Sequence, residues 1–166
     1  MKDLKKITQE CFFILDDLQI PYDKQVSIKY NGRISSKWGY CRKLYPGFEI
    51  SIASVLGYSD TPDKAIKSVL LHELLHTCPK CFNHGKLWNR YAKQIKDKYK
   101  IKIRNVSTAE DMNITPHYYI KCRKCDVKAY YPMRPRNIER RCLVCNSKKL
   151  SCFYQYNGFK ERIWKR

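Results

Sequence analysis

Apolar and polar positions recur along this chain with two different periods, and each change of period marks an element. Between residues 3 and 19, Leu4, Ile7, Cys11, Ile14, Leu15 and Leu18 follow one another at spacings of three and four, with Asp, Glu, Lys and Gln between them. Such spacing gathers them into one stripe and predicts an amphipathic helix lying on a core, ended by Pro21. From Val26 the period falls to two: Val26, Ile28 and Tyr30 alternate with Ser27 and Lys29, and Asn31-Gly32 reads as a hairpin turn. A second extended run, around 33–42, contains Trp38, Gly39 and Cys41. The third, Phe48, Ile50 and Ile52 alternating with Glu49 and Ser51, is set off by Pro46-Gly47. Together the runs predict a three-stranded, mostly antiparallel sheet.

The helical period returns after a short turn at 54–57. Thr61 suits the cap of the next helix, Pro62 its first position and Asp63 the positive end of its dipole. Over residues 62–77, Ile66, Val69, Leu70, Leu71, Leu74 and Leu75 are apolar on more than one face, which predicts a buried central helix. His84-Gly85 opens a further helix, 86–99. Leu87, Trp88, Tyr91, Ala92, Ile95 and Tyr99 form its inner side, and Lys86, Arg90, Lys93, Lys96 and Lys98 lie mainly on the rest.

The central helix also carries chemistry. His72 and His76 are four apart and stack on one face, with Glu73 about 100° round from His72. A catalytic zinc takes three protein ligands and keeps one position open, and His84, after a seven-residue turn, is the natural third. Ordinary histidines are the alternative reading. Against it, three of only four histidines fall within residues 72–84, on an otherwise apolar segment. Cys78-Pro79-Lys80-Cys81 lies in the intervening turn; with no two further ligands nearby, it reads as a tight turn with structural or redox-sensitive thiols.

Downstream, Cys122-x-x-Cys125 and Cys142-x-x-Cys145 are separated by sixteen residues, the spacing of a four-thiolate structural zinc ribbon. Cys152 reads as packed rather than ligating. Two zinc ions are therefore expected, one catalytic and one structural. The 166 residues suffice for one core plus such a metal-stapled module. The domain reading is 1–104, a polar linker 105–116, and a ribbon with its tail, 117–166.

Charge changes the picture further. Residues 117–166 hold 14 Lys and Arg against 3 Asp and Glu, and +16 of the net +19 lies after His84. An asymmetry of that size points to an anionic partner, nucleic acid first. Lys121, Arg123, Lys124, Arg134, Arg136, Arg140 and Arg141 are the candidate contacts. Tyr118, Tyr119, Tyr130 and Tyr131 stand among them and could stack on bases, which favours single-stranded DNA; at least half of these tyrosines should instead fill the ribbon's small core. Five apolar residues at 11–15, followed by Asp16-Asp17, make neither a signal nor a span, so no membrane partner and a cytoplasmic location are expected, with nucleoid association if the source is bacterial. Cysteines paired as Cys-x-x-Cys in a reducing compartment favour metal over disulfides.

His72-Glu73-x-x-His76, a variable turn, then His84-Gly85-x-x-Trp88 resembles the signature of the SprT-like zinc metalloproteases, the group that includes the Spartan-type proteases of DNA-protein crosslink repair. A leading helix, small sheet, zinc helix, closing helix and C-terminal cysteine ribbon occur in that order in many bacterial members. The resemblance implies an α+β, zincin-like minimal metalloprotease domain followed by a small zinc ribbon, with zinc on His72, His76 and His84 and Glu73 as catalyst. It implies metal-assisted hydrolysis of peptide bonds in protein substrates bound or crosslinked to DNA, the substrate extended along an edge strand with weak sequence preference. The turn between His76 and His84 is shorter here than in Spartan-type proteins and carries the two cysteines; their recruiting extensions are not found. A non-catalytic zinc-containing nucleic-acid-binding protein and a protein-binding adaptor are the other classes.

Overall fold

The computed structural model describes residues 1–136, 141–156 and 159–165. They divide into two compact units, Met1–Ile114 and Thr115–Arg166. No described helix is long and apolar enough to cross a membrane.

In the first unit, α1 (Leu4–Asp17) starts where Asp3 accepts from the Lys5 and Lys6 backbone N–H groups at 2.9 and 3.1 Å. It buries Ile7, Cys11, Ile14 and Leu15, the stripe its spacing predicts. Strands β1 (Val26–Asn31), β2 (Gly39–Lys43) and β3 (Phe48–Ala53) follow, then a 3-10 turn at Ser54–Gly57. The helices α2 (Asp63–Leu75) and α3 (Lys86–Tyr99) complete the unit.

The sheet is where pattern reading fails. Its order is β1-β3-β2, with β1 parallel to β3 and only β2 antiparallel to it, so the sheet is mixed and Asn31-Gly32 closes no hairpin. Asn31 instead ends β1 in a local turn, its Oδ1 accepting from Arg33 N–H at 2.9 Å. Burial explains the order. β3 carries Ile50 and Ile52, both fully buried, and the strand with most to bury takes the middle, leaving the half-exposed strands as edges.

Helix α2 is central, burying Ile66, Val69, Leu70, Leu71, Leu74 and Leu75 against α1, the sheet and α3. Thr61 does not cap it, as its Oγ1 donates to Val55 O at 2.9 Å, and Pro62 occupies the cap position. Asp63 pairs with Lys2. After α3 an extended strap alternates buried Ile101 and Ile103 with outward Lys102 and Arg104. Ser68 Oγ on α2 donates to Lys102 O at 2.8 Å, clamping the strap along the helix. The polar stretch read as a linker continues this packing: Met112 and Ile114 are buried, and Trp38 Nε1 donates to Ser107 O at 2.7 Å.

The second unit is a four-stranded antiparallel sheet, β5-β4-β6-β7, from β4 (Tyr118–Cys122), β5 (Lys128–Tyr131), β6 (Leu150–Tyr156) and β7 (Phe159–Lys165). Ile120, Cys122, Cys142, Leu150 and Cys152 form its small core, with Tyr131, Cys145, Ile163 and Trp164 packed beside it. The tail thus finishes the ribbon, and Cys152 is packed.

Candidate active site

Helix α2 reaches Leu75, and His76 follows as its C-cap with α-helical φ and ψ of −70° and −16°, so the four-residue stacking of His72 and His76 survives the helix end. The chain then turns through 77–85. There Asn89 Nδ2, one turn into α3, donates to the carbonyls of His84 (2.7 Å) and Gly85 (3.0 Å), fixing His84 above the helix. The three rings meet: His72 Nε2 lies 3.2 Å from His76 Nε2 and 3.1 Å from His84 Nε2. Trp88 backs all three, its ring centroid 5.0, 6.0 and 4.6 Å from those of His72, His76 and His84.

Protonation decides what this cluster can hold. His72 Nδ1 faces Arg104 O at 2.9 Å and His76 Nδ1 faces Cys81 O at 3.2 Å. A carbonyl oxygen only accepts, so each Nδ1 carries the proton and each Nε2 turns a lone pair inward. Burial, reinforced by the neighbouring His76 and His84, pushes the His72 ring down to about 4; burial likewise lowers His76. Neutral rings with converging lone pairs repel unless a cation lies between them. Nitrogens on one tetrahedral zinc at about 2.0–2.1 Å are about 3.3 Å apart, close to the separations seen here. The residues fit a zinc ion.

Glu73 is almost wholly buried beside this cluster. It can be there because position 39 is glycine: a Cβ on Gly39 would lie 3.0 Å from Glu73 Oε1 and 3.1 Å from Val69 Cγ1. Burial pushes the Glu73 carboxyl up to about 7, opposed by the Lys37 charge and the Cys41 backbone N–H. That N–H points away from β3, so the unpaired edge of β2 runs past the carboxylate. Beside Glu73 and His72 opens a cleft of about 350 Å³. The arrangement joins three nitrogens that could hold a metal, a buried carboxylate whose pKa burial raises to about 7, a free strand edge and a side-chain-sized cavity.

Residues 4–110 match the SprT-like family. The chain belongs to the SprT-like family. No curated protein matches it. Zinc metallopeptidase activity is generally associated with this family, and in this SprT-like chain the sequence positions 72, 73, 76 and 84 do converge. Sequence reasoning missed Gly39, Asn89 and the Arg104 carbonyl, which act through space and have no local signature. Trp88 was legible from spacing as an inner residue of its helix, and as a neighbour of the histidines only through the family pattern.

Cys78 and Cys81 are buried in the turn, and burial pushes Cys78 up to about 12. Their thiols stay protonated, which suits a packed turn rather than a ligand pair.

In the second unit of this SprT-like protein the four cysteine sulfurs lie within 4.8 Å of one another, with Cys122 to Cys145 at 3.6 Å and Cys125 to Cys142 at 3.5 Å. Sulfurs on a tetrahedral zinc at about 2.3 Å are about 3.8 Å apart, so these residues also fit the ion. The two knuckles share one backbone design. Asp126 and Asn146 have positive φ (59° and 54°), and each donates its N–H to the carbonyl of the first cysteine, Cys122 at 3.0 Å and Cys142 at 2.9 Å.

Of the predicted cationic contacts, Arg123 and Lys124 sit on the first knuckle, Arg141 precedes the second, and Arg134 and Arg136 follow β5; all five are exposed. Lys121 pairs with Asp126 at 2.9 Å. Arg140 lies outside the described residues. The sheet assembles a different group: Tyr130, Tyr119, Phe153 and Arg162 form one cross-strand row. Tyr119 stacks on Phe153 at 5.0 Å and meets Tyr130 at 5.8 Å. Lys128 and Lys160 stand 5.4 and 5.6 Å from the Tyr119 ring. Tyr119 is buried and Tyr130 is 60% exposed.

Proposed function

We propose that this protein is a zinc-dependent metallopeptidase with a zincin-like catalytic domain, acting on proteins bound or crosslinked to DNA. The observation that carries the reading is the convergence of three imidazole Nε2 atoms beside a buried glutamate at the mouth of a cleft. His72, His76 and His84 would hold the ion, and Cys122, Cys125, Cys142 and Cys145 a second, structural one. Zinc in the histidine site supplies Lewis acidity, which activates water and polarises a carbonyl. Glu73 would accept the proton of the attacking water at its carboxylate and deliver it to the leaving amine, and its burial, which raises its proton affinity, suits that shuttle. The β2 edge holds the substrate main chain extended, through hydrogen bonds that ignore side-chain identity.

Nucleic acid is the partner we assign to the basic second unit. Exposed Tyr130 and half-buried Phe153, backed by buried Tyr119 and flanked by Lys128, Lys160 and Arg162, offer ring surface to bases and cations to phosphates, which suits a single strand, with the knuckle and loop arginines extending the positive surface. The discriminating experiment measures peptide-bond cleavage by the zinc-loaded protein beside Glu73→Gln, with metal content determined for both. Equal zinc with cleavage only in the parent supports the peptidase. Equal zinc, no cleavage by either and tight DNA binding would favour a non-catalytic nucleic-acid-binding protein.

A further inference from the structure

The cleft beside Glu73 contains more than the chemistry needs. Residues 36–39 form one wall and residues 104–107 the other, and the Trp38 Nε1 to Ser107 O bond ties the walls together. Val69, His72 and Glu73 reach it from α2. Its volume, about 350 Å³, is that of a side-chain pocket rather than a water site.

Its lining carries more cationic than anionic side chains. Two cations line it, Lys37 and Arg104, and Glu73, the proposed base, is its only carboxylate among the described residues. Arg104 pairs with Asp111 at 2.5 Å, and Asp111 is not among the lining residues. Lys37 is exposed, forms no ion pair among the described residues, and holds its Nζ 4.7 Å above the Tyr40 ring. Trp38, Val69 and Val106 add apolar surface. A substrate strand lying along the β2 edge turns alternate side chains to opposite faces, so a side chain flanking the scissile bond can enter this cleft.

We propose that the cleft is the subsite for that flanking side chain, and that Lys37, supported by Arg104, makes it select acidic over basic residues there. The proposal rests on the metallopeptidase reading and adds one charge preference to an otherwise permissive main-chain mode. It also has a consequence for nucleic-acid-bound substrates. Segments that grip phosphates are rich in Lys and Arg, and the subsite directs cleavage away from them, toward acidic or neutral stretches.

The test uses full-length, zinc-loaded protein and three peptides that differ only in the residue beside the scissile bond: Glu, Gln or Lys. The expected order of kcat/KM is Glu, then Gln, then Lys, with a Glu-to-Lys ratio on the order of 10 to 100 that shrinks as salt rises. In Lys37→Glu the ratio falls to one or inverts. Because the ratio is read within each variant, loss of overall activity does not disturb it. Equal rates for Glu and Lys peptides in the parent, or a ratio unmoved in Lys37→Glu, overturn the proposal. Should the parent cleave none of them, the peptidase reading fails separately, and fluorescence anisotropy of the same labelled peptides on Glu73→Gln still reads the preference. Equal affinities there reject it.

Discussion

Gly39→Ala probes the catalytic geometry without replacing a proposed ligand or the base. The added Cβ would stand 3.0 Å from Glu73 Oε1, 3.1 Å from Glu73 Cγ and 3.1 Å from Val69 Cγ1. Ordinary contact needs about 3.5–4.0 Å, so relief takes a shift of roughly 0.5 Å. Val69 is packed in α2 and β2 is bonded along its length to β3, so the Glu73 carboxylate yields most readily. Overpacking of this kind costs about 1–3 kcal/mol of stability. Displacing a catalytic group by 1 Å can cost about 100-fold, so half that shift should lower kcat by about 10-fold or more. The assay is peptide cleavage at saturating substrate, with zinc content and a denaturant midpoint measured on the same preparation. Full zinc, a folded protein and kcat down at least tenfold is the expected result. A folded, zinc-loaded Gly39→Ala with parental kcat would refute the placement of Glu73 as base.

Further outcomes follow from the same geometry. Cys142→Ser should lower bound zinc from two ions per chain to one and abolish the cooperative melting of the second unit, since a core this small depends on its metal; metal analysis and calorimetry check it. Burial pushes the His72 pKa from 6.5 to about 4, so the unfolded chain takes up the proton first as the solution is acidified. With the histidine site free of zinc, stability from this group is complete above pH 6.5 and lost as pH falls toward 4, by on the order of 3 kcal/mol at most, and His72→Asn should flatten that part of a denaturant-stability profile of the zinc-free protein against pH. Tyr130→Ala should weaken single-stranded DNA binding by about 1–3 kcal/mol, while Lys128→Ala should reduce the salt slope by about 0.7, both read by titration at several salt concentrations. Asn89→Ala should free the His84 carbonyl and lower zinc affinity at the histidine site by about 10-fold or more, measured by chelator competition.

Helices and candidate metal-binding clusters were legible in the sequence because their information is local. The stripe from Ile7 to Leu15, the all-round apolar α2 and the boundaries of α3 each follow from spacing alone, as do the two Cys-x-x-Cys knuckles. Strand order was not, because it is set by which strand has most to bury: Asn31-Gly32 carries a hairpin signature, yet the apolar β3, seventeen residues further on, takes the place beside β1. The cap at Thr61 failed for a related reason, its hydroxyl finding a tertiary partner in Val55 O. In the site, the side chains proposed to bind zinc announce themselves by type and spacing. Their supports do not: the Arg104 carbonyl on His72 is a main-chain group thirty-two residues away, and Gly39 matters only because Glu73 is folded against it. On the ribbon, charge counting pointed to arginines in turns, while pairing of β4 with β5 and β6 built an aromatic row that no linear pattern displays.

The central claim joins the two units: a glutamate-dependent peptidase in the first, directed by nucleic acid on the second. Its most direct test is cleavage of a DNA-binding protein by the zinc-loaded chain, with and without single-stranded DNA, beside Glu73→Gln. The account predicts cleavage that requires Glu73 and rises with DNA. Cleavage that Glu73→Gln retains in full would contradict it.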